Sequence, residues 1–489
     1  MIKTIPLVGG NGAGSLVEFD AQLTENMYVE VGEQGSRSPA ALVSRPGLAT
    51  YMTQVIGTRV PAMRTSADGF TTLVFVQGAT QPLRKYAGAG GPQAFGPSFA
   101  TVVFTTAKVS IAAENSGARW AIAFGINVGQ PMVFANAVNT GSPTVTASIY
   151  QALDVVYSDG RFIFIDSATG YIRHTDLNSD VINPLNFILP GVQAKALAVV
   201  GREVWVLGED GCEVYYNDGS TGFAYARRDG ASLDVGLHSP NAIAELDGTV
   251  YFLASDKSNR LRFVRINGYS IEPVSTPFID RKLAEAIGGG TPYVCDAFAH
   301  SHSGHSFAVM RFRSTESDTS KDFCMAVDTG TGHWFNMSYR DADGVTRAFD
   351  GCCAATRDAF TLVGSATSGA VLDFAEELPT DNGLPFTKRR RLGRIVSATA
   401  EKHKRLELRA KTGVPYTEAA HVRLRWSDDG GRTFGEEHIA SLGEPGEYVK
   451  RVAFRRLGLS RDRVYELAVT DSVQVVFTEL LADVEATRT

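Results

Sequence analysis

The stretch DVVYSDGRFIFIDSATGYIRHTD, from Asp154 to Asp176, sets the grammar of the whole chain. A short apolar strand runs into the pair Asp159-Gly160. A second strand follows with large side chains at alternate positions, then a polar turn, then a third strand. Asp-Gly between alternating hydrophobics is a strong hairpin signal, because a type I′ turn demands positive φ at both central residues and Gly accepts it without a Cβ clash. The same order recurs from Ala196 to Asp218, around Gly201-Arg202, and from Ala242 to Gly268, around Asp247-Gly248. These meanders are spaced by roughly 40 to 50 residues, the period of propeller blades. Phe162 and Phe164, Trp205 and Leu207, and Tyr251 and Leu253 fall at matching offsets after their turns, which makes them the expected core between blades.

The pattern extends outward in both directions. Asp68-Gly69 precedes TTLVFV, Ser116-Gly117 precedes RWAIAFGI, Ser303-Gly304 precedes SFAVMRF, and Arg357-Asp358 precedes AFTLVGS. The expected fold is all-β: a β-propeller of six or seven blades with an additional C-terminal β-sandwich-like domain. The blade pattern stops near Pro379 to Gly383, after which LELRAKTG, HVRLRWSDDGGRTF and RVYELAVTD alternate wet and buried positions. The division expected is an N-terminal arm (1–47), a propeller (48–384) and a C-terminal docking or platform domain (385–489). The arm carries one strand-like piece, MYVEV, and the turn SRPGL at Ser44 to Leu48; such an arm closes the ring or reaches a neighbouring subunit. One short helix is expected, Asp280 to Ala286, ended by Gly288-Gly289-Gly290.

At 489 residues the chain has room for two or three domains. It holds no apolar run of the roughly 18 residues a membrane-spanning helix needs. Its start, MIKTIPLVGGNGAG, is too short in apolar residues for a signal peptide, so synthesis in the cytosol is expected. The five cysteines form no CxxC pair, and the adjacent Cys352-Cys353 argues against a disulfide framework. The net charge of −6 is unevenly spread: Pro385 to Thr489 carries 20 Lys+Arg against 15 Asp+Glu, the remainder 27 against 38. An acidic body with a basic end domain is not a nucleic-acid clamp, but its basic end suits docking on a partner.

Three constellations stand out. Ser427, Asp429, Gly431, Thr433 and Phe434 fit an Asp-box, in which the Asp429 carboxylate accepts backbone N–H bonds, Gly431 takes the strained φ, and Phe434 pins the hairpin to the core. Such boxes decorate sialidase propellers. This one occurs once, outside the blades and without paired carboxylates, so the structural reading is preferred. His300 and His302 would share a strand face, as a metal site needs, but only Asp296 could join them and His305; exposed histidines in a turn are the simpler expectation, and no metal or cofactor is assigned. Lys388, Arg389, Arg390, Arg391 and Arg394 form a basic run without interleaved aromatics, which favours a docking surface for an acidic protein partner, or a charge-protected strand edge, over nucleic-acid binding. No GxxxxGK[ST], G-x-S-x-G or HExxH occurs, leaving P-loop, hydrolase and zincin chemistry without a foothold.

Four stretches, in order along the chain, resemble the packaged-DNA stabilisation proteins of short-tailed bacteriophages, also called tail hub or nozzle proteins. They are ENMYVE with LVSRPGL; GHSFAVMRF leading to MAVDTGTGHWFNM; RRRLGR; and WSDDGGRTF with FRRLGLSRDRVYELAVTD. The resemblance implies a virion tail protein, assembled in the host cytoplasm, and no enzyme. It implies a homohexameric ring below the portal–adaptor complex, which retains packaged double-stranded DNA and conducts it without sequence preference during ejection. The implied partners are further copies of the chain, the adaptor, and a tail fibre, tailspike or plug protein. An acidic body suits a conduit, since a basic wall would bind phosphates with an affinity that grows with each contact. The competing readings are a carbohydrate-binding or sialidase-like propeller and a monomeric interaction scaffold.

Overall fold

The computed structural model describes residues 2–11, 21–36, 38–51, 57–79, 82–87, 93–94, 108–125, 130–139, 143–288, 293–315, 319–358, 360–411, 420–448 and 450–487. The hairpin turns take the backbone their residues predict. Asp159 and Gly160 have φ of 47° and 79°, Asp247 and Gly248 50° and 74°, Ser303 and Gly304 49° and 80°. Around the first of these turns, Arg161–Asp166 pairs with Ala152–Ser158 and with Ile172–Thr175, which in turn pairs with Ile182–Ile188, all antiparallel.

Among the described residues seven such sheets succeed one another, at 59–94, 110–147, 152–188, 194–227, 236–273, 293–336 and 351–375. Their innermost strands touch in sequence, and Gly351–Arg357 returns to Arg59–Thr65, which closes a ring of seven blades. The two-residue period decides the packing. Phe162 and Phe164 turn to blade two and pack with Ala121, Ala123 and Phe134. Ile163 and Ile165 turn to blade four and pack with Val204 and Val206. Phe162, Phe164, Trp205, Leu207, Tyr251 and Leu253 are all buried between blades, as their offsets predict.

The seventh blade takes its outer strand from the beginning of the chain: Gly47–Thr50 pairs antiparallel with Val371–Ala375. The rest of the arm does not form a unit of its own. Ile2–Ile5 and Ala40–Ser44 pair with Val476–Ala486, and Met27–Val31 pairs with Ala40–Ser44, inside the C-terminal domain. That domain is built on Ile395–Ala410, His421–Ser427, Leu459–Val469 and Val476–Ala486. Its core holds Leu406, Leu408, Val422, Leu424, Leu467, Phe477 and Leu480.

Leu23–Glu25 joins the two domains. It runs parallel to Trp334–Asn336 of blade six and antiparallel to Lys388–Arg391, which pairs with Leu459–Val469. Backbone hydrogen bonding therefore continues from blade six into the C-terminal domain. The helix spans Pro277–Gly288, longer at both ends than its sequence pattern, with Ile279 and Leu283 buried against blade five. Residues 289–290 of its glycine run lie outside the described residues.

Candidate functional site: the propeller–sandwich junction

Arg45, in the SRPGL turn, sits at the centre of the junction and is 1% exposed. All five of its N–H donors find acceptors. Nε donates to Asn26 Oδ1 at 2.9 Å, and Nη1 to Pro46 O at 2.9 Å and Asp381 Oδ1 at 3.0 Å. Nη2 donates to Ser338 O at 2.8 Å and Asp381 Oδ2 at 2.5 Å. The guanidinium lies 3.8 Å above the Phe386 ring. One side chain thus ties the arm, the blade six–seven connection and the entry to the C-terminal domain, with the two-pronged geometry that only Arg offers a carboxylate.

The basic run expected to form a docking surface is corrected here. Lys388 and Arg390 are 0% exposed. Arg390 donates to Leu7 O at 2.7 Å, Gly10 O at 3.0 Å, Thr24 Oγ1 at 2.8 Å and Gln22 Oε1 at 2.6 Å, which fastens the arm. Lys388 donates to Pro379 O and Asp471 O at 3.2 and 3.1 Å, and burial pulls its pKa down to about 7. On the opposite strand face, Arg389 lies 3.5 Å from Glu25, and Arg391 donates to the buried Glu466 at 2.8 Å. Arg394 pairs with Asp462. The run forms an inner strand, and strand alternation sends its cations to partners on both faces.

The Asp-box is assembled as its sequence predicts. Gly431 N donates to Ser427 Oγ at 2.8 Å; Arg432 N and Thr433 N donate to Asp429 Oδ1, each at 2.9 Å; Thr433 Oγ1 donates to Asp429 Oδ2 at 2.5 Å. The hydroxyl bonds from Ser427 and Thr433, with the backbone bonds, hold the Asp429 carboxyl well below the usual carboxylate range. Gly431 has φ of 97°. Phe434 departs from expectation: it packs between Arg391 and Arg425, 4.6 and 5.0 Å from their guanidinium carbons, rather than in the apolar core. The neighbouring Asp428, which the box pattern does not mark, holds Arg463 through two bonds of 2.7 Å. Asp429→Ala is expected to lower the unfolding midpoint of the C-terminal domain and speed hydrogen exchange across 427–434; an unchanged midpoint would refute the structural role.

His300 and His302 do share a strand face, but inside the protein rather than in an exposed turn. Their rings stack at 5.3 Å in a column with Phe307 and Phe374. Asp296 is turned away to Arg59, at 2.6 Å. Burial lowers both histidines, His302 to about 3, so neither carries charge near neutrality. His305 behaves oppositely. It bridges Glu30 of the C-terminal domain at 2.9 Å and Asp328 of blade six at 2.8 Å. Burial alone would lower its pKa, but these two bonds outweigh it and raise it. A group with a raised folded pKa contributes stability fully below its unfolded value, near 6.5, and loses that contribution as pH rises through the folded value. Wild type should therefore exceed His305→Gln in stability most at about pH 5 to 6, the gap closing toward pH 8. Urea titrations across that range test this, and a gap constant with pH would exclude it.

Two concavities stand out, one on the propeller axis and one at the junction. A cavity of about 370 Å³ on the propeller axis is lined by all seven inner strands, and the charged groups of its lining are paired: Lys108 with Asp154 at 2.5 Å, Arg64 with Glu245 at 3.1 Å, and Asp296 with Arg59 behind it. A groove of about 910 Å³ runs between Glu376–Thr380 and 472–476. Among the described residues no group of three or more His, Cys, Asp or Glu could hold a metal, and no helix is long and apolar enough to cross a membrane.

A seven-bladed propeller fused through shared strands to a β-sandwich, with its junction sealed by buried ion pairs, is a two-domain β scaffold. Residues 3–290 match the family model described as bacteriophage P22 Gp10, beta-propeller, and residues 389–485 the one described as bacteriophage P22 Gp10, beta-sandwich. The chain belongs to this family, the tail hub or nozzle-type proteins of short-tailed phages. The propeller continues through blades six and seven, between the two matched segments. No curated protein matches the chain. Similar solved structures include one titled "Structure of U3-55K" (9% identity, TM-score 0.42, 67% of this chain and 99% of that one). Another shows BBS1N in complex with ARL6DN (11% identity, TM-score 0.39, 68% and 95%).

Proposed function

We propose that the chain is a non-enzymatic subunit of a ring-shaped nozzle, a homohexamer in the virion tail, which sits below the portal–adaptor complex, retains packaged DNA and passes it during ejection. The observation that carries this reading is the pair of family matches, in order, on a propeller and sandwich that share strands. Such a fused body resists hinge motion, which suits a subunit that must hold a channel open under load. The reading places the adaptor and a tail fibre, tailspike or plug protein at its ends. It also gives the lumen acidic and neutral walls, in keeping with the charge split along the chain. Exposed cations that remain after the inner basic strand is accounted for, such as Lys402, Arg455, Arg456 and Arg461, are then free for protein contacts.

The test is a phage carrying a nonsense codon in this gene. Its particles should package DNA and then lose it, and complementation should restore both retention and infectivity. Particles that keep their genomes without the protein would overturn the proposal. A purified protein that binds duplex DNA tightly with a steep salt dependence would overturn the acidic lumen.

A further inference from the structure

The adjacent cysteines of blade seven are oriented as a pair, which a regular strand forbids. Successive side chains on a strand point to opposite faces. Here the pairing of Gly351–Arg357 with Phe360–Ser365 slips: Gly351 faces Ser365, Cys353 faces Gly364, and Cys352 is the extra residue of a bulge. Both thiols consequently converge on one acceptor, Val60 O, with Cys352 Sγ at 3.1 Å and Cys353 Sγ at 3.0 Å. Gly364 makes the room: a Cβ there would lie 2.5 Å from Cys353 Sγ and 2.6 Å from Val60 O. Both cysteines line the axial cavity.

The surroundings act on the two thiols in opposite directions. Burial by itself would raise the Cys352 thiol, but the adjacent Cys353 thiol and the neighbouring Arg59 guanidinium together bring it below its ordinary value, while the contact with Cys352 and burial push Cys353 well above its own. The other three cysteines are buried with thiols pushed up, Cys212 and Cys324 to about 12 and Cys295 well above its ordinary value. A direct bridge between the pair would be strained. Neighbouring Cα atoms lie about 3.8 Å apart, whereas an unstrained disulfide needs at least about 4.4 Å. A larger atom held by both sulfurs avoids that constraint.

We propose that Cys352 and Cys353 form a two-sulfur site on the propeller axis for a soft, thiophilic centre, either trivalent arsenic or a d10 metal ion. This goes beyond the conduit reading and does not depend on it. Capture of an organoarsenic oxide is a condensation without redox change: two As–S bonds form, the As=O bond breaks, and the two thiol protons leave with the oxygen as water.

The experiment treats the native full-length chain with phenylarsine oxide and measures intact mass. One arsenical per chain is expected, released by a dithiol but not by a monothiol. Peptide mapping should place it on the segment carrying Cys352 and Cys353. Cys352→Ser and Cys353→Ser, each confirmed folded by circular dichroism, should both lose capture. No adduct on the wild type, an adduct mapped elsewhere, or capture that survives in either folded variant would overturn the site. Mapping on the wild type decides the matter even where a variant does not fold.

Discussion

Arg45→Ala is expected to destabilise the protein by about 3–5 kcal/mol, the cost of removing one partner from a buried ion pair. Asp381 would keep only the Leu48 N–H bond at 3.0 Å among those that now satisfy its carboxylate from the arm. Asn26 and Ser338 would lose their bonds to the guanidinium as well. Lysine should not rescue the site, because a single ammonium cannot span the two Asp381 oxygens together with Asn26 and Ser338. The double variant Arg45→Met, Asp381→Asn should recover part of the loss, since it leaves no unpaired buried charge. Urea unfolding of the four proteins makes the comparison. An Arg45→Ala protein that unfolds like wild type would show that the junction does not depend on this side chain.

Deleting residues 1–50 should have a larger effect still, with neither domain folding. The truncation removes the outer strand of blade seven and leaves Val371–Ala375 as an open edge, so the ring loses its seam. It also removes three strands from the C-terminal domain and empties the positions of Ile5, Leu7, Met27, Val29 and Leu42 from its core. The acceptors of Arg390 leave with them, which strands a buried guanidinium between the domains. The measurement is soluble yield and near-ultraviolet circular dichroism of 51–489 against the full chain. A truncated chain with a native-like spectrum would mean that the propeller folds without its arm and without the outer strand of blade seven.

The blades were legible because their signals are local. An Asp-Gly turn and the alternation of Phe162, Ile163, Phe164 and Ile165 need only a few neighbouring residues to be read, and the same short-range physics repeats seven times. The Asp-box was legible for the same reason: its bonds join Ser427, Asp429, Gly431 and Thr433 across one turn.

Partnerships across hundreds of residues were not legible. The run from Lys388 to Arg391 reads as an exposed basic edge until the fold sets Gly10, Gln22 and Thr24 against one face and Glu466 against the other. Charge pairing of this kind leaves no periodic trace, since each partner is a single residue placed by topology. The histidines follow the same rule: strand alternation put His300 and His302 on one face, but only the packing of blades six and seven made that face an aromatic interior. By itself the sequence determined the all-β class, the blade period and the turn chemistry, because those arise from backbone geometry within a dozen residues. Only the tertiary structure decided that the N-terminal arm seals the propeller, completes the sandwich and neutralises the charges between them, because those contacts form when distant strands meet.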